Sequence, residues 1–236
     1  MNVNGEKHEV LGSTQEALKT LLKSRVDLPH LYYVMAEAQT AGRGRSDHTW
    51  VSAKGNLHVS ILLRDLPFSE ITWIPLWVSV CVHQALSELG VDKTRIQLKW
   101  PNDLWIERSK KTGGILCEKI GPSIVVGIGL NLVESPKLDQ ETGSISLISR
   151  IFPNNTVLDK ILSQLALSTS VSNIHKIYQQ YELFGEGDSI EWRQESSEKT
   201  LTGSVIGLDS HGELLVNCNG KNISLFAEDV RAARLN

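Results

Sequence analysis

The sequence predicts an α+β protein with two unequal parts, a larger domain of mixed strands and helices followed by a small β-barrel. Strand-like and helix-like segments alternate irregularly through most of the chain, without the regular strand–helix–strand rhythm of a parallel sheet. Beyond the Gly-Glu-Gly sequence near residue 186, short strand-like segments are separated by Gly and Asn turns. We therefore predict a domain at 1–185 and a second domain at 186–236.

Three helices are predicted from the distribution of apolar residues. The first follows Ser13–Glu16, whose S-T-Q-E sequence matches a capping box and precedes an apolar stripe. The second covers 68–89, is largely apolar, and ends at Gly90 as a C-cap. The third covers 159–184, which has the period of one long amphipathic helix.

The strands are predicted from short apolar or alternating runs bounded by turn residues. In the larger domain they lie at 31–38, 56–63, 95–100, 103–107, 113–120 and 123–132, the last two forming a meander around Gly121-Pro122. In the smaller domain they lie at 189–194, 200–208, 212–218 and 221–226, with Asn219-Gly220 as a hairpin turn.

Composition limits the classes of function. The 236-residue chain is 41% hydrophobic with a net charge of −3, which argues against disorder and against a broad nucleic-acid-binding surface. The three cysteines form no C-x-x-C pair, so a disulfide framework or zinc site is not expected. Without a signal peptide or an apolar run long enough to span a bilayer, we expect a cytoplasmic protein that binds neither DNA nor membranes.

Two segments place polar residues and glycines where a core would be expected. The sequence QTAGRGR at 39–45 is either a surface loop with two solvated arginines or an anion clamp of guanidinium groups and backbone amides. The sequence KWPND at 99–103 is either a turn or a ligand contact. In the second case Asp103 could reach a metal ion bound to phosphates.

Two further segments carry glycines within predicted strands. The sequence KTGGI at 111–115 either starts a strand after a turn or lets a flat ligand lie against the backbone, with Lys111 near an anionic oxygen. The sequence GIGLN at 127–131 requires close approach by a ligand or another element. Walker A and dinucleotide-binding signatures are absent from the sequence.

Taken together and in this order, the four segments resemble the central motifs of the biotin protein ligases. The resemblance covers essentially the whole chain and places it with the monofunctional group, which lacks an N-terminal DNA-binding domain. It implies a catalytic domain similar to class II aminoacyl-tRNA synthetases, followed by an SH3-like β-barrel. The implied reaction joins biotin and ATP into biotinyl-5′-AMP and transfers biotin to a lysine of a biotin carboxyl carrier protein or domain.

The resemblance also implies site residues. Biotin is expected at Ser13, Thr14, Gln15, Gln39, Arg43, Gly44, Arg45, Lys111, Gly113 and Gly114. ATP or the adenylate is expected at Arg43, Arg45, Trp50, Asn102, Asp103, Lys111 and Asn131. Arg43, Arg45 and Lys111 are the expected catalytic residues because two anions, a carboxylate and a triphosphate, must meet. Mg²⁺ is expected through the phosphates, with Asp103 as its protein contact.

The sequence departs from the family pattern at Ser46-Asp47-His48, where family loops often carry Arg-Gly-Arg. This change adds an acidic residue beside the expected phosphate clamp, so the resemblance does not determine how the loop closes. Arg231 or Arg234 could supply the C-terminal arginine that reaches the site in the family. A lipoate or octanoyl ligase of the same fold and a non-catalytic binding module remain alternatives, and a homodimer is compatible with the resemblance.

The Arg45 side chain is predicted to retain the reaction intermediate. Replacing Arg45 with Gly should leave adenylate formation measurable but let the adenylate escape, since a mixed anhydride hydrolyses once water reaches it. The measurement is the fraction of biotinyl-5′-AMP that stays bound after rapid gel filtration. Retention equal to that of the wild-type chain would contradict the prediction.

Overall fold

The computed structural model describes residues 4–25, 27–45, 48–66, 70–136, 141–167, 169–194, 199–227 and 230–235. These residues form a seven-stranded mixed sheet with helices and a separate five-stranded antiparallel sheet, so the predicted α+β class is confirmed. The helices are α1 Thr14–Ser24, α2 Trp73–Glu88, α3 Asn154–Leu165 and α4 Val171–Tyr181. The strands are β1 Gly5–Leu11, β2 Tyr33–Gln39, β3 Leu57–Leu63, β4 Ile96–Lys99, β5 Asp103–Ile106, β6 Lys110–Ile120, β7 Ser123–Leu130, β8 Ser189–Gln194, β9 Thr200–Leu208, β10 Leu214–Cys218, β11 Lys221–Leu225 and β12 Val230–Leu235.

The larger sheet has the order β1-β2-β3-β7-β6-β5-β4. The β1–β2 pair is parallel and the other neighbours pair antiparallel, with the predicted β6–β7 meander closed at Ile120 and Ser123. All residues of β3, an interior strand of the sheet, are buried. Both faces of this sheet are therefore covered at its centre, and a ligand site must lie where the cover is incomplete.

Helices cover the two faces unequally. On one face α2 is buried along most of its length and packs in the main core, together with residues such as Leu57, Ile61 and Val126. On the other face α1 buries Leu18 and Leu22 in a smaller cluster. Helix α1 packs against β2, β3 and β7 on that face, and β6 with the last residues of β7 borders a cavity beside it.

None of the helices in the described ranges is both long enough and apolar enough to cross a membrane.

Helix α1 begins where the sequence predicts, but the predicted capping box does not form. The Ser13 hydroxyl has no hydrogen-bond partner among the described residues. The Thr14 amide instead donates to Gln39 Oε1 at 2.8 Å, and Glu16 pairs with Lys19 and Arg43. The start of the helix is thus fixed by the end of β2, because a tertiary acceptor replaces the local one.

The single long helix predicted at 159–184 is wrong, since the structure has two helices in this region. Helix α3 ends at Leu165, and α4 starts after Ser170. The Ser170 hydroxyl accepts a hydrogen bond from the amide of Asn173 at 3.2 Å, which makes it a local N-cap. A hydroxyl-rich sequence between two apolar stripes therefore starts a new helix.

The smaller sheet is antiparallel with the order β11-β10-β9-β8-β12. Its predicted hairpin turn is confirmed, with Asn219 and Gly220 at φ values of 53° and 79° between β10 and β11. No ladder joins β11 to β12 within the described ranges, so the sheet is open there and the predicted closed barrel is not observed. Strand β12, absent from the sequence prediction, adds to β8 at one edge.

Hydrogen bonds from two indole N–H groups to main-chain carbonyls attach the smaller sheet to the larger sheet and its helices. Trp100 Nε1 donates to the Gly212 carbonyl at 3.1 Å, and Trp73 Nε1 donates to the Ser210 carbonyl at 3.2 Å. Both acceptors lie in the turn between β9 and β10. These contacts hold the smaller sheet against the β4 edge of the larger sheet and the start of α2.

The Trp100 hydrogen bond is predicted to stabilise this attachment. Trp100→Phe should lower the free energy of unfolding by about 1–3 kcal/mol more than Trp105→Phe, because the first change leaves the Gly212 carbonyl without its donor. Trp105 is a matched control, since its buried Nε1 has no partner among the described residues. The measurement is urea unfolding, and equal losses in both variants would contradict the prediction.

Candidate active site

A cavity of about 780 Å³ opens on the face of the larger sheet that α1 leaves uncovered. Its walls are the start of α1, the 39–51 loop, strands β6 and β7, and the edge of the smaller sheet. The predicted residues that line it are Ser13, Thr14, Gln15, Gln39, Arg43, Gly44, Arg45, Trp50, Asn102, Asp103, Lys111, Gly114 and Asn131. Gly113 is outside the lining, and a Cβ there would meet Leu130 Cδ1 at 3.0 Å.

A buried polar network forms one end of the cavity. Thr14 Oγ1 lies 3.1 Å from Gln39 Oε1 and 2.9 Å from Ser60 Oγ. Ser60 donates in turn to Gln15 Oε1 at 2.9 Å, and Gln15 Nε2 donates to the Val125 carbonyl at 3.1 Å. Interlocked hydrogen bonds hold these side chains in fixed orientations, which suits recognition of a small polar group. Sequence analysis missed Ser60 because it reads as an ordinary strand residue.

Glycines of β6 and β7 form the floor of the cavity. A Cβ at Gly127 would lie 2.8 Å from Gln15 Oε1, and one at Gly129 would overlap the indole of Trp50. The same indole crosses Gly114, where a Cβ would meet Trp50 Cζ3 at 3.2 Å. The close approach predicted for these glycines is therefore made by two protein side chains, and Trp50 covers the floor.

The 39–51 loop is a hairpin whose base is fixed by main-chain hydrogen bonds. The Trp50 amide donates to the Gly42 carbonyl at 2.9 Å, and the Gly44 amide donates to the His48 carbonyl at 2.7 Å. Ser46 and Asp47, where the sequence departs from the family pattern, lie outside the described residues. The hairpin base directs Arg43, Gly44 and Arg45 toward the cavity.

Arg43 contacts carboxylates of α1 and β6. Its Nη1 atom pairs with Glu16 and lies 3.5 Å from Glu118 Oε1, and Lys19 bridges the same two carboxylates at 3.0 and 3.1 Å. The hydrogen bond from Lys19 lowers the pKa of the Glu16 carboxyl, and Arg43 acts in the same direction against the effect of burial. An anion that binds Arg43 must compete with this pair of carboxylates.

Arg45 joins the loop to residues next to both sheets. Its Nη1 atom donates to Asn102 Oδ1 at 3.1 Å, and its Nη2 atom donates to the carbonyl of Ala227, just beyond β11. Asn102 is itself fixed, since its Nδ2 donates to the Ile115 carbonyl at 2.6 Å. Arg45 therefore couples the position of the loop to the smaller sheet.

Lys111 and Asp103 form an ion pair at 2.8 Å on neighbouring strands, and both line the cavity. Asn131, at the end of β7, is buried and donates from Nδ2 to the Gly143 carbonyl at 3.2 Å. The Gly143 amide donates to the Lys111 carbonyl at 2.9 Å, so this segment supports the main chain of Lys111. The predicted KTGGI and GIGLN segments thus meet at one wall.

A family model described as the biotin/lipoate A/B protein ligase family matches residues 8–132. The chain belongs to this family. The Bacillus subtilis bifunctional ligase/repressor BirA is 29% identical over 94% of this chain and 72% of its own length. The Mycobacterium tuberculosis biotin–[acetyl-CoA-carboxylase] ligase is 32% identical over 65% of this chain, which spans 59% of that protein.

Solved structures give a similar result over the whole chain. A mutant of the Aquifex aeolicus biotin protein ligase in complex with biotin matches with a TM-score of 0.81, 25% identity and 99% coverage of both chains. The Aquifex aeolicus biotin protein ligase in complex with biotin and ATP matches with a TM-score of 0.83 at 24% identity, which shows the shared fold.

Basic side chains dominate the charge of the cavity of this family member. Its described lining includes one carboxylate, Asp103, and the cations Arg43, Arg45, Lys99, Lys111, Arg193 and Arg234. The net charge of the chain is −3, so the positive patch is local, as the sequence predicts. A concave site with this charge attracts polyanions.

Lys99 and Arg193 are lining residues that sequence analysis missed. The available signal for Lys99 was its position in the KWPND segment. The alternation of residues along a strand is equally compatible with a side chain that points into the core. Of the two C-terminal arginines considered, Arg234 lines the cavity, whereas the side chain of Arg231 is outside the described part of the chain.

The described residues contain no group of three or more His, Cys, Asp or Glu side chains able to hold a metal ion. Asp103, the predicted metal contact, is already paired with Lys111. A Mg²⁺ ion in this cavity would therefore depend on the oxygens of a bound phosphate chain for most of its ligands.

The fit of Trp50 onto the glycine floor is predicted to be sensitive to a single methyl group. Gly129→Ala should displace the indole, because the new Cβ overlaps it, and should shift the Trp50 contribution to the fluorescence spectrum. That contribution is isolated by subtracting spectra of variants that also carry Trp50→Phe.

Gly185→Ala is the matched control, since the nearest atom to a Cβ there is Asp188 Oδ2 at 3.7 Å. A Trp50 contribution that is unchanged in Gly129→Ala would contradict the packing described here.

Proposed function

We propose that the chain is an ATP-dependent biotin protein ligase. It converts biotin and ATP to biotinyl-5′-AMP and pyrophosphate, and then transfers biotin to a lysine of a biotin carboxyl carrier protein or domain. The observation that carries the proposal is one cavity, in a chain of this family, that joins a buried polar pocket to a set of convergent cations. The printed names and bound ligands of its relatives support the choice of biotin.

Biotin binds at the polar end. Its ureido group has two N–H donors and one carbonyl acceptor, which matches the amide and hydroxyl groups of Thr14, Gln15 and Gln39. Ser13, whose hydroxyl is buried without a partner among the described residues, completes this set. The rings and the valeryl chain lie beside Gln15 and Trp50, the two side chains that cover the glycine floor, and the carboxylate points toward Lys111.

In the first step an oxygen of the biotin carboxylate attacks the α-phosphorus of ATP. A new O–P bond forms, the bond to the bridging oxygen breaks, and pyrophosphate leaves with the electron pair. The cations Lys111, Arg43 and Arg45 reduce the repulsion between the two anions. They also stabilise the negative charge that grows on the oxygens during the reaction. No nucleophile from the protein is needed, which agrees with the lack of a serine or cysteine signature.

The adenosine part binds beside Trp50, with Asn131 and Asn102 at the edges of its pocket. Trp50 can stack on a flat base, and buried amide groups can recognise its edge. Mg²⁺ bound with ATP would be held mainly by the phosphate oxygens and would supply positive charge to the leaving group. Asp103 and Asn102, which line the cavity, would be its oxygen donors from the protein.

In the second step the acceptor lysine attacks the carbonyl carbon of the mixed anhydride. A C–N bond forms, the bond to the phosphate oxygen breaks, and AMP leaves. Asp103 is our candidate to accept the proton of the attacking amine, because it is the one carboxylate among the described lining residues. Its ion pair with Lys111 supports this role, because the proposal sets Lys111 next to the biotin carboxylate.

The 39–51 loop protects the intermediate. Glycines allow the loop to move, while Arg45 attaches it to Asn102 and to the Ala227 carbonyl. Residues 186–236 form the SH3-like module that supplies this second anchor. Closure of the loop over the cavity keeps water from the anhydride until the acceptor arrives.

The function is tested with the purified chain, Mg²⁺–ATP and either biotin or lipoate. We expect pyrophosphate release with biotin alone, and labelling of a biotin carboxyl carrier domain when that domain is added. Release with lipoate and labelling of a lipoyl domain would indicate the other branch of the family. No release with either acid would overturn the proposal.

The role of Lys111 is tested by comparing its substitution with that of a second lysine on the same strand. Lys111→Met should slow adenylate formation by about 10²–10³-fold, because it removes a preorganised cation from the developing charge. Lys119→Met removes an exposed lysine of the same strand and should leave the rate unchanged. Similar rates for Lys111→Met and the wild-type chain would contradict the assigned role.

A further inference from the structure

Asn56, the residue just before β3, has a fully buried side chain that binds the main chain just beyond β7. Its side-chain oxygen Oδ1 accepts hydrogen bonds from the amides of Leu132, Val133 and Glu134 at 3.0, 3.0 and 3.3 Å. Its Nδ2 atom donates to the Glu134 carbonyl at 2.7 Å. One side chain therefore satisfies four main-chain groups and fixes the conformation of three consecutive residues.

The same side chain orients Asn131. Asn56 Nδ2 lies 3.4 Å from Asn131 Oδ1, and Asn131 Nδ2 donates to the Gly143 carbonyl at 3.2 Å. A side-chain amide has two N–H donors and two lone pairs on its oxygen, so Asn131 keeps hydrogen-bonding capacity for a ligand after both contacts are made. Asn131 lines the cavity, whereas Asn56 is outside the lining and reaches the cavity only through its neighbours.

The segment that Asn56 holds also carries a wall of the cavity. Pro136 and Thr142 both line the cavity, and the Thr142 hydroxyl donates to the Pro136 carbonyl. The Ser146 amide donates to the Leu132 carbonyl at 3.0 Å, so the chain folds back onto the residues that Asn56 fixes. Loss of the Asn56 amide would therefore loosen this wall.

The polar end of the cavity is supported by a separate set of hydrogen bonds. Ser60, the β3 residue of that network, lies four residues beyond Asn56, which is about 13 Å along the strand. Its partners there come from α1 and the end of β2, namely Thr14, Gln15 and Gln39. Removal of the Asn56 side chain would leave these contacts in place.

We propose that Asn56 is a positioning residue for the adenosine part of ATP. It acts through Asn131 and the wall at 131–136 and does not itself touch the substrate. The proposal rests on the proposed ligase function, in which adenosine binds beside Trp50 and Asn131, and it adds the group that holds this wall in place before the nucleotide arrives. A preformed wall reduces the entropy that is lost when the nucleotide binds.

The Michaelis constants of the two substrates separate this role from a general structural one. In Asn56→Ala we expect the KM for ATP to rise about tenfold or more, because the wall loses its acceptor and Asn131 loses its partner. The KM for biotin should stay near its wild-type value, since the polar pocket keeps its hydrogen bonds. Both constants are measured from pyrophosphate release at a saturating concentration of the other substrate.

Asn56→Asp separates the acceptor from the donor. The carboxylate keeps an oxygen that can accept from the three amides, but it has no hydrogen to donate to Asn131. The KM for ATP should therefore lie between those of the wild-type chain and Asn56→Ala. If Asn56→Ala does not fold, Asn56→Asp carries the test alone, and a wild-type KM for ATP in it would overturn the inference.

Asn154→Ala is the matched control for loss of a buried asparagine. Asn154 is 9% exposed, its Nδ2 atom donates to Glu37 Oε1 at 3.2 Å, and it lies outside the cavity lining, so both constants should keep their wild-type values. In Asn56→Ala, equal rises of the two constants or no rise in either would overturn the inference and leave the proposed function intact. A wild-type chain that releases no pyrophosphate from biotin and ATP would overturn the proposed function and this inference together.

Discussion

The cavity depends on the lack of side chains at Gly114, Gly127 and Gly129 of the β6–β7 hairpin. Gly114 pairs directly with Gly129 across the ladder, so main-chain hydrogen bonds fix the hollow between the strands. The Gln15 side chain contacts Gly127, and the indole of Trp50 lies over Gly129 and Gly114. Larger residues at these positions would displace the side chains of Gln15 and Trp50. The polar pocket and the 39–51 loop would then no longer border the same cavity.

Most cations around this floor are held by acceptors of the protein. Arg43 contacts Glu16, Lys111 contacts Asp103, and Arg45 contacts an amide and a carbonyl oxygen. Such partners order long side chains and limit the entropy lost when an anion binds, although the anion must then compete with them. Lys99 differs, because aromatic rings confine it in place of a carboxylate.

Elements with a strong local pattern were predicted well, and those defined by distant partners were not. Apolar runs identified β3 and α2, which are buried along all or most of their length, and the β6–β7 hairpin. Strand β1 was missed because an edge strand is mostly polar, and it gains its structure from pairing with β2. The capping box failed for a related reason, since the amide at the start of α1 finds its acceptor in Gln39.

The sequence by itself determined the family, the α+β class and the main set of cavity residues, because their chemistry is encoded in short, ordered motifs. Only the tertiary structure decided how these motifs meet. Ser60, Lys99 and Arg193 reach the cavity through strand pairing and domain attachment, which join positions far apart in the chain. Periodicity reports whether a side chain is buried, but the neighbour it meets there is set by the packing of the whole fold.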